Sequence, residues 1–138
     1  MASLRARADL ALGDAVEFVL KIYNSAELLY AYRESMVYDA LKPYQGNVIP
    51  YCYGMFRANE RQRGMGLLLE RIVGIHLEEY LLSRPNLEAA GIYWCYLRCR
   101  QALALLHANG FAFCREYGHN FIMTPDSSLV LVGFGHAL

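Results

Sequence analysis

Apolar residues recur along this chain with two different periods, and the switches between them mark the elements. From Ala15 to Tyr23 the run Ala-Val-Glu-Phe-Val-Leu-Lys-Ile-Tyr is apolar except at Glu17 and Lys21, which predicts a buried strand. Between Ala26 and Leu41 the spacing becomes helical, with Leu29, Tyr30, Met36, Val37, Ala40 and Leu41 as the apolar positions. Lys42-Pro43-Tyr44-Gln45-Gly46 interrupts. Val48 to Phe56 then reads as a strand whose Pro50 belongs on an edge, since proline cannot donate to a ladder. The apolar run Leu67-Leu68-Leu69 within Gly66 to Gly74 follows, and Arg63-Gly64-Met65-Gly66 ahead of it fits a hairpin turn.

The second half is mostly helical. A long helix is predicted from about Leu87 to Ala108, with Ile92, Cys95, Tyr96, Cys99, Leu103 and Leu106 on one face. Phe121-Ile122-Met123, a Pro-Asp turn and Leu129-Val130-Leu131-Val132 predict a closing β-hairpin.

Composition narrows the function more than the fold. At 138 residues the chain suits one domain that buries roughly two-thirds of its unfolded surface. Thirteen basic side chains balance thirteen acidic ones, which argues against nucleic acid or an anionic membrane as a partner. Arg57, Arg61, Arg63 and Arg71 form one basic stretch, but Glu60 and Glu70 interrupt it and a solvated loop accounts for it. The first 14 residues lack the apolar core and cleavage site of a secretory signal, and no run of 18 apolar residues exists. The expected location is therefore intracellular, cytoplasmic or nuclear. Cys52, Cys95, Cys99 and Cys114 form no C-x-x-C pair, and Cys95 and Cys99, one helical turn apart, read as small core residues. His76, His107, His119 and His136 lie on separate elements, so no metal site is expected. No G-x-S-x-G or Ser-His-Asp arrangement supports a hydrolase.

Candidate chemistry sits in an ordered set of weak motifs. Lys21 lies in the first apolar strand and Glu34 thirteen positions on, in the helix. Leu67-Leu68-Leu69-Glu70-Arg71-Ile72 precedes Leu106-His107-Ala108-Asn109-Gly110. Then come Phe113-Cys114-Arg115-Glu116-Tyr117-Gly118-His119-Asn120 and Val132-Gly133-Phe134-Gly135. In this order and spacing the segments resemble a protein kinase: the V-A-I-K strand, the αC helix with its Glu, the fifth strand and hinge, the start of αD in Gly74-Ile75-His76-Leu77, the L-H-x-x-G that ends αE, the catalytic loop H-R-D-x-x-x-x-N and the D-F-G. Leu41-Lys42-Pro43-Tyr44-Gln45-Gly46 with Ile49-Pro50-Tyr51-Cys52-Tyr53-Gly54 is similar to small, divergent kinase-like proteins common in fungi. Each piece also has a plainer reading. Lys21 fits an edge residue that lays its stem on apolar surface, Glu34 a solvated helix charge, and Gly133-Phe134-Gly135 a turn after a strand.

The resemblance implies a single domain of the α+β class over residues 1–138. An N-lobe-like part, to about residue 72, would hold an antiparallel five-stranded sheet and an αC-like helix. A truncated helical C-lobe, from about 73, would end at the G-F-G. It also implies that the machinery is degenerate. Arg115 stands at the catalytic aspartate and Gly133 at the metal-binding aspartate, and no G-x-G-x-x-G precedes Lys21. A guanidinium, with a pKa above about 12, cannot act as a base at neutral pH, and loss of a general base costs on the order of 10² to 10⁴ in rate. With Gly133 contributing no ligand, magnesium would keep only Asn120. Glu116 and Asp126 are the only displaced carboxylates to weigh in their place. The implied remnant of an ATP site is Lys21, Glu34, Glu70, Ile72 and Asn120. The expectation is thus a pseudokinase that needs no cofactor and binds another protein, or a second copy, through the surface an absent lobe would cover. Eleven tyrosines, Trp94 and several methionines are available for such contacts. An atypical ATP-dependent phosphotransferase and a non-functional gene fragment are the alternatives.

Overall fold

A computed structural model describes residues 2–9, 15–57, 64–112 and 120–134. Strands β1 (Ala2–Asp9) and β2 (Ala15–Tyr23) pair antiparallel, with Ala2 opposite Ile22 and Asp9 opposite Ala15. Asn24 ends β2 and starts the next element: its side chain accepts from the Ala26 and Glu27 amides, while the Glu27 carboxylate accepts from the Asn24 amide. This capping box satisfies the orphan donors of a 3₁₀ turn, Ser25–Glu27, which runs into α1 (Leu28–Ala40). A second 3₁₀ turn, Lys42–Tyr44, is built on Pro43.

Strands β3 (Cys52–Arg57) and β4 (Met65–Glu70) complete the first sheet, in the order β1-β2-β4-β3, antiparallel throughout. The chain then forms β5 (Ile75–His76), α2 (Leu77–Leu82), α3 (Ala89–Ala108), β6 (Phe121–Met123) and β7 (Leu129–Leu131). Strands β5, β6 and β7 make a second antiparallel sheet in that order. The architecture is therefore α+β, with two small antiparallel sheets and three α-helices among the described residues. None of these helices is long and apolar enough to cross a membrane.

The expected five-stranded sheet is four-stranded among the described residues, and the strand expected from Val48 to Phe56 begins only at Cys52. Pro50 has no amide to offer a ladder. Val48, ahead of it, accepts through its carbonyl from the Leu131 amide at 2.9 Å, so this stretch is tied to β7 instead. Strand β4 stops at Glu70, where the Leu-Leu-Leu-Glu segment ends, and the chain crosses to the second sheet. Gly74 makes that crossing at a distance no side chain tolerates, since a Cβ there would lie 2.2 Å from the Met123 carbonyl oxygen.

One apolar cluster joins α1, α3 and both sheets: Val37, Leu41, Leu67, Leu106, Phe121, Leu131 and Phe134 are buried together. The helix faces differ from expectation. On α1 the buried positions are Ala31, Glu34, Val37 and Tyr38, whereas Leu29 and Met36 are exposed. On α3 the buried stripe is Cys95, Ala102 and Leu106, spaced seven and four residues apart, while Ile92 and Tyr96 are exposed. Hydrophobic spacing locates a stripe to within about one helical position on either side, and the width of the neighbouring layer decides which flank is covered.

Candidate functional site

Both partners of the central ion pair are presented by element periodicity. Side chains alternate along β2, so Lys21 and Tyr23 project from the same face. On α1, Glu34 follows Ala31 by three residues and precedes Tyr38 by four, which keeps all three on the buried stripe. The Lys21 Nζ donates to both Glu34 oxygens, at 2.8 Å to Oε1 and 2.7 Å to Oε2. The Tyr23 hydroxyl donates to Glu34 Oε2 as well. Glu34 is fully buried and the Lys21 side chain is 14% exposed, so the pair lies in a low-dielectric environment and three hydrogen bonds from two donor groups compensate one carboxylate. Burial first, and the Glu34 charge second, push the Tyr23 phenol far above its ordinary range.

A cleft of about 510 Å³ opens over this pair. Lys21, Glu34 and Tyr38 line it from β2 and α1, Glu70 and Ile72 from the end of β4, and Asn120 and Gly133 from either side of the β6–β7 hairpin. All five residues expected as the remnant of a nucleotide site, Lys21, Glu34, Glu70, Ile72 and Asn120, therefore face one cavity, together with Gly133. Glu70 is committed to the fold: its Oε2 accepts from the Tyr51 amide at 3.0 Å, and its own amide donates to the Tyr51 carbonyl at 2.9 Å. Arg71 is ion-paired to Glu17. The charges lining the cleft thus largely cancel one another.

Across the cleft the Asn120 carbonyl accepts from the Val132 amide at 2.7 Å, which locks the base of the hairpin. Gly133 is left-handed, with φ +81°, and a Cβ on it would lie 2.8 Å from Asn120 Oδ1. Asn120 has thus settled into space that a side chain at residue 133 would take. Arg115 and Glu116 lie outside the described residues. Asp126 does not line the cleft; it sits in the hairpin turn, where donation by Thr124 Oγ1 holds its carboxyl below the usual carboxylate range.

Tyr23 and Tyr38 are the site residues that sequence reasoning passed over. A signal was present for each, two residues beyond Lys21 on the strand and four beyond Glu34 on the helix, but nothing local distinguishes a tyrosine that meets a carboxylate from one that packs. The Tyr38 hydroxyl is buried with no hydrogen-bond partner, and burial, followed by the Glu34 charge, pushes its phenol well up. Among the described residues no three His, Cys, Asp or Glu side chains converge as a metal site would require. Burial pushes the Cys99 thiol up to about 11, which keeps it a thiol and a poor nucleophile at neutral pH. The chain matches no protein-family model, and no curated protein matches it either.

Proposed function

We propose that this chain is a pseudokinase, a protein-kinase-like domain that transfers no phosphate and acts by binding another protein. The observation that carries the reading is the closed Lys21–Glu34 pair facing Asn120 and Gly133 across one cleft. A strand lysine paired with a helix glutamate, opposite an asparagine, is the arrangement the kinase resemblance calls for, and Gly133 stands where that pattern has its metal-binding aspartate. The four-stranded sheet with α1 beside it supports an N-lobe-like reading of the first half. The second sheet with α2 and α3 supports a C-lobe-like reading of the rest.

Catalysis is the part this arrangement does not supply. A hard octahedral cation needs oxygen ligands in number, and Gly133 contributes none. Glu34 and Glu70 are already engaged by Lys21, Tyr23 and the Tyr51 amide. A binding role draws instead on exposed apolar surface. Leu82, Ile92, Tyr93 and Tyr96 are all exposed on α2 and α3, and the two tyrosine rings stack with centroids 6.3 Å apart. Aromatic groups of this kind are enriched in the cores of protein interfaces.

A second reading, nucleotide binding without transfer, draws on the orphan Tyr38 hydroxyl, which is a donor in want of an acceptor at the wall of the cleft. A thermal-shift titration with ATP, with and without magnesium, in the wild type and in Lys21→Ala, separates the two. A ligand at 100 times its dissociation constant stabilises by about 2.7 kcal/mol, which is readily measured. The protein-binding reading expects no shift at millimolar ATP. A magnesium-dependent shift that Lys21→Ala abolishes would replace it with a nucleotide-dependent one.

A further inference from the structure

A second cavity, of about 290 Å³, lies away from the cleft, between α3, the turn after the second 3₁₀ element and the β6–β7 hairpin. Its wall is apolar: Trp94, Ala102 and Leu105 from α3 and Leu129 from the start of β7. Its rim is polar and carries one formal charge. Arg98 stands one helical turn after Trp94, with its guanidinium carbon 5.5 Å from the centre of the indole ring. That contact holds the guanidinium plane at the mouth without consuming its N–H donors. Arg98 has no carboxylate partner among the described residues, and no acidic side chain lines the cavity.

The hairpin brings Ser127 and Ser128 to the same mouth. Ser127 is left-handed, with φ +64°, a conformation uncommon outside glycine. Thr124 holds it there: the Ser127 amide donates to the Thr124 carbonyl at 3.0 Å, and the Thr124 amide donates to the Ser128 carbonyl at 2.9 Å. The nearest acid in the sequence, Asp126, is engaged within the turn by Thr124 Oγ1. Gln101, the next turn of α3 beyond Arg98, adds an amide.

We propose that this cavity binds a small monocarboxylate carried on an apolar body, with the carboxylate on Arg98 and the body against Trp94, Ala102 and Leu129. One guanidinium matches one carboxylate bidentately. A lone cation without a second basic group or a helix N-terminus suits a monoanion better than a phosphate dianion. The volume is at the low end of ligand sites, which run from about 300 to 1,000 Å³, so the body is about the size of a single substituted ring. The assignment is independent of the pseudokinase reading, since no residue of the cleft takes part.

The test is a titration of the full chain with phenylacetate, followed by calorimetry and by the indole N–H resonance of Trp94, with phenylacetamide as the uncharged control. The expected result is saturable binding of the acid with a shift of the Trp94 signal and no binding of the amide. Arg98→Gln is expected to lower the affinity roughly 10- to 100-fold, as loss of a charged hydrogen-bonding partner does. Gln101→Glu, which places a like charge on the rim, is expected to weaken binding while leaving thermal unfolding unchanged. Equal binding of acid and amide, full affinity in Arg98→Gln, or no saturation at millimolar phenylacetate would each overturn the assignment.

Discussion

The Tyr38 ring stands edge-on against Phe134, with centroids 5.1 Å apart and planes at 82°. This contact joins the buried stripe of α1 to the segment that follows β7, so one aromatic pair couples the helix bearing Glu34 to the glycine facing Asn120. The ring is used for packing, and its hydroxyl is left without a partner. A buried orphan donor costs about 1 to 3 kcal/mol. Tyr38→Phe is therefore expected to leave stability unchanged or raise it by about 1 kcal/mol in chemical denaturation. A loss of stability would mean that the hydroxyl has a partner in solution, either a bound water or a ligand of the cleft.

The Lys21–Glu34 pair should be costly to break and cheap to replace. Glu34→Leu leaves the Lys21 ammonium and the Tyr23 hydroxyl without their acceptor, and removal of one partner of a buried pair costs about 3 to 5 kcal/mol. The double change Lys21→Met with Glu34→Leu should recover most of that loss, because no unpaired charge remains. A double-mutant cycle in urea measures the coupling. Simple additivity of the two losses would show that the pair is solvated and contributes little.

Alkaline pH should destabilise the fold in a defined window. Burial, with Cys95 as a second influence, raises the Cys99 thiol from its ordinary 9.0 to about 11. A group that holds its proton more tightly when folded contributes stability fully present below its unfolded pKa and lost as pH rises through the folded one. Stability should thus begin to fall above pH 9 and continue to fall towards pH 11. The raised Tyr23 and Tyr38 phenols extend the loss upward from their ordinary 10.0. Thermal unfolding across this range checks the sign, and Cys99→Ala should flatten the first part of the decline.

Gly133 should resist substitution according to how well each residue tolerates positive φ. The left-handed region costs an ordinary residue roughly 1 to 2 kcal/mol, and Asn and Asp less. Gly133→Ala is expected to lose about that much, and Gly133→Asp less in backbone strain, once Asn120 rotates from its place 2.8 Å from the new Cβ. Equal losses for the two variants would show that crowding against Asn120, and not φ, sets the cost.

How much of this was legible in the chain follows from the range over which each feature is encoded. The run Ala15–Tyr23 is a strand in the structure with the predicted ends, because an apolar, β-branched and aromatic stretch bounded by Asp14 and Asn24 carries its own signal. The long helix starts at Ala89 instead of about Leu87, and the hairpin after Phe121 forms around its Pro-Asp turn. These are local facts, set within a few residues. Partnership across the fold is not local. That Lys21 lies opposite Leu67, that Val48 is bound to Leu131, and that Ile92 and Tyr96 face solvent while Ala102 does not are outcomes of layers meeting at long range. Lys21, Glu34, Glu70, Ile72 and Asn120 could be nominated from residue type and spacing. Their meeting in one cleft, with Tyr23 closing on Glu34 and Tyr38 left unpartnered, required the packing of α1 against the sheet and the hairpin. Periodicity says which side of an element is apolar, and burial of that side against a neighbour far along the chain, as Tyr38 against Phe134, says what each polar group upon it must meet.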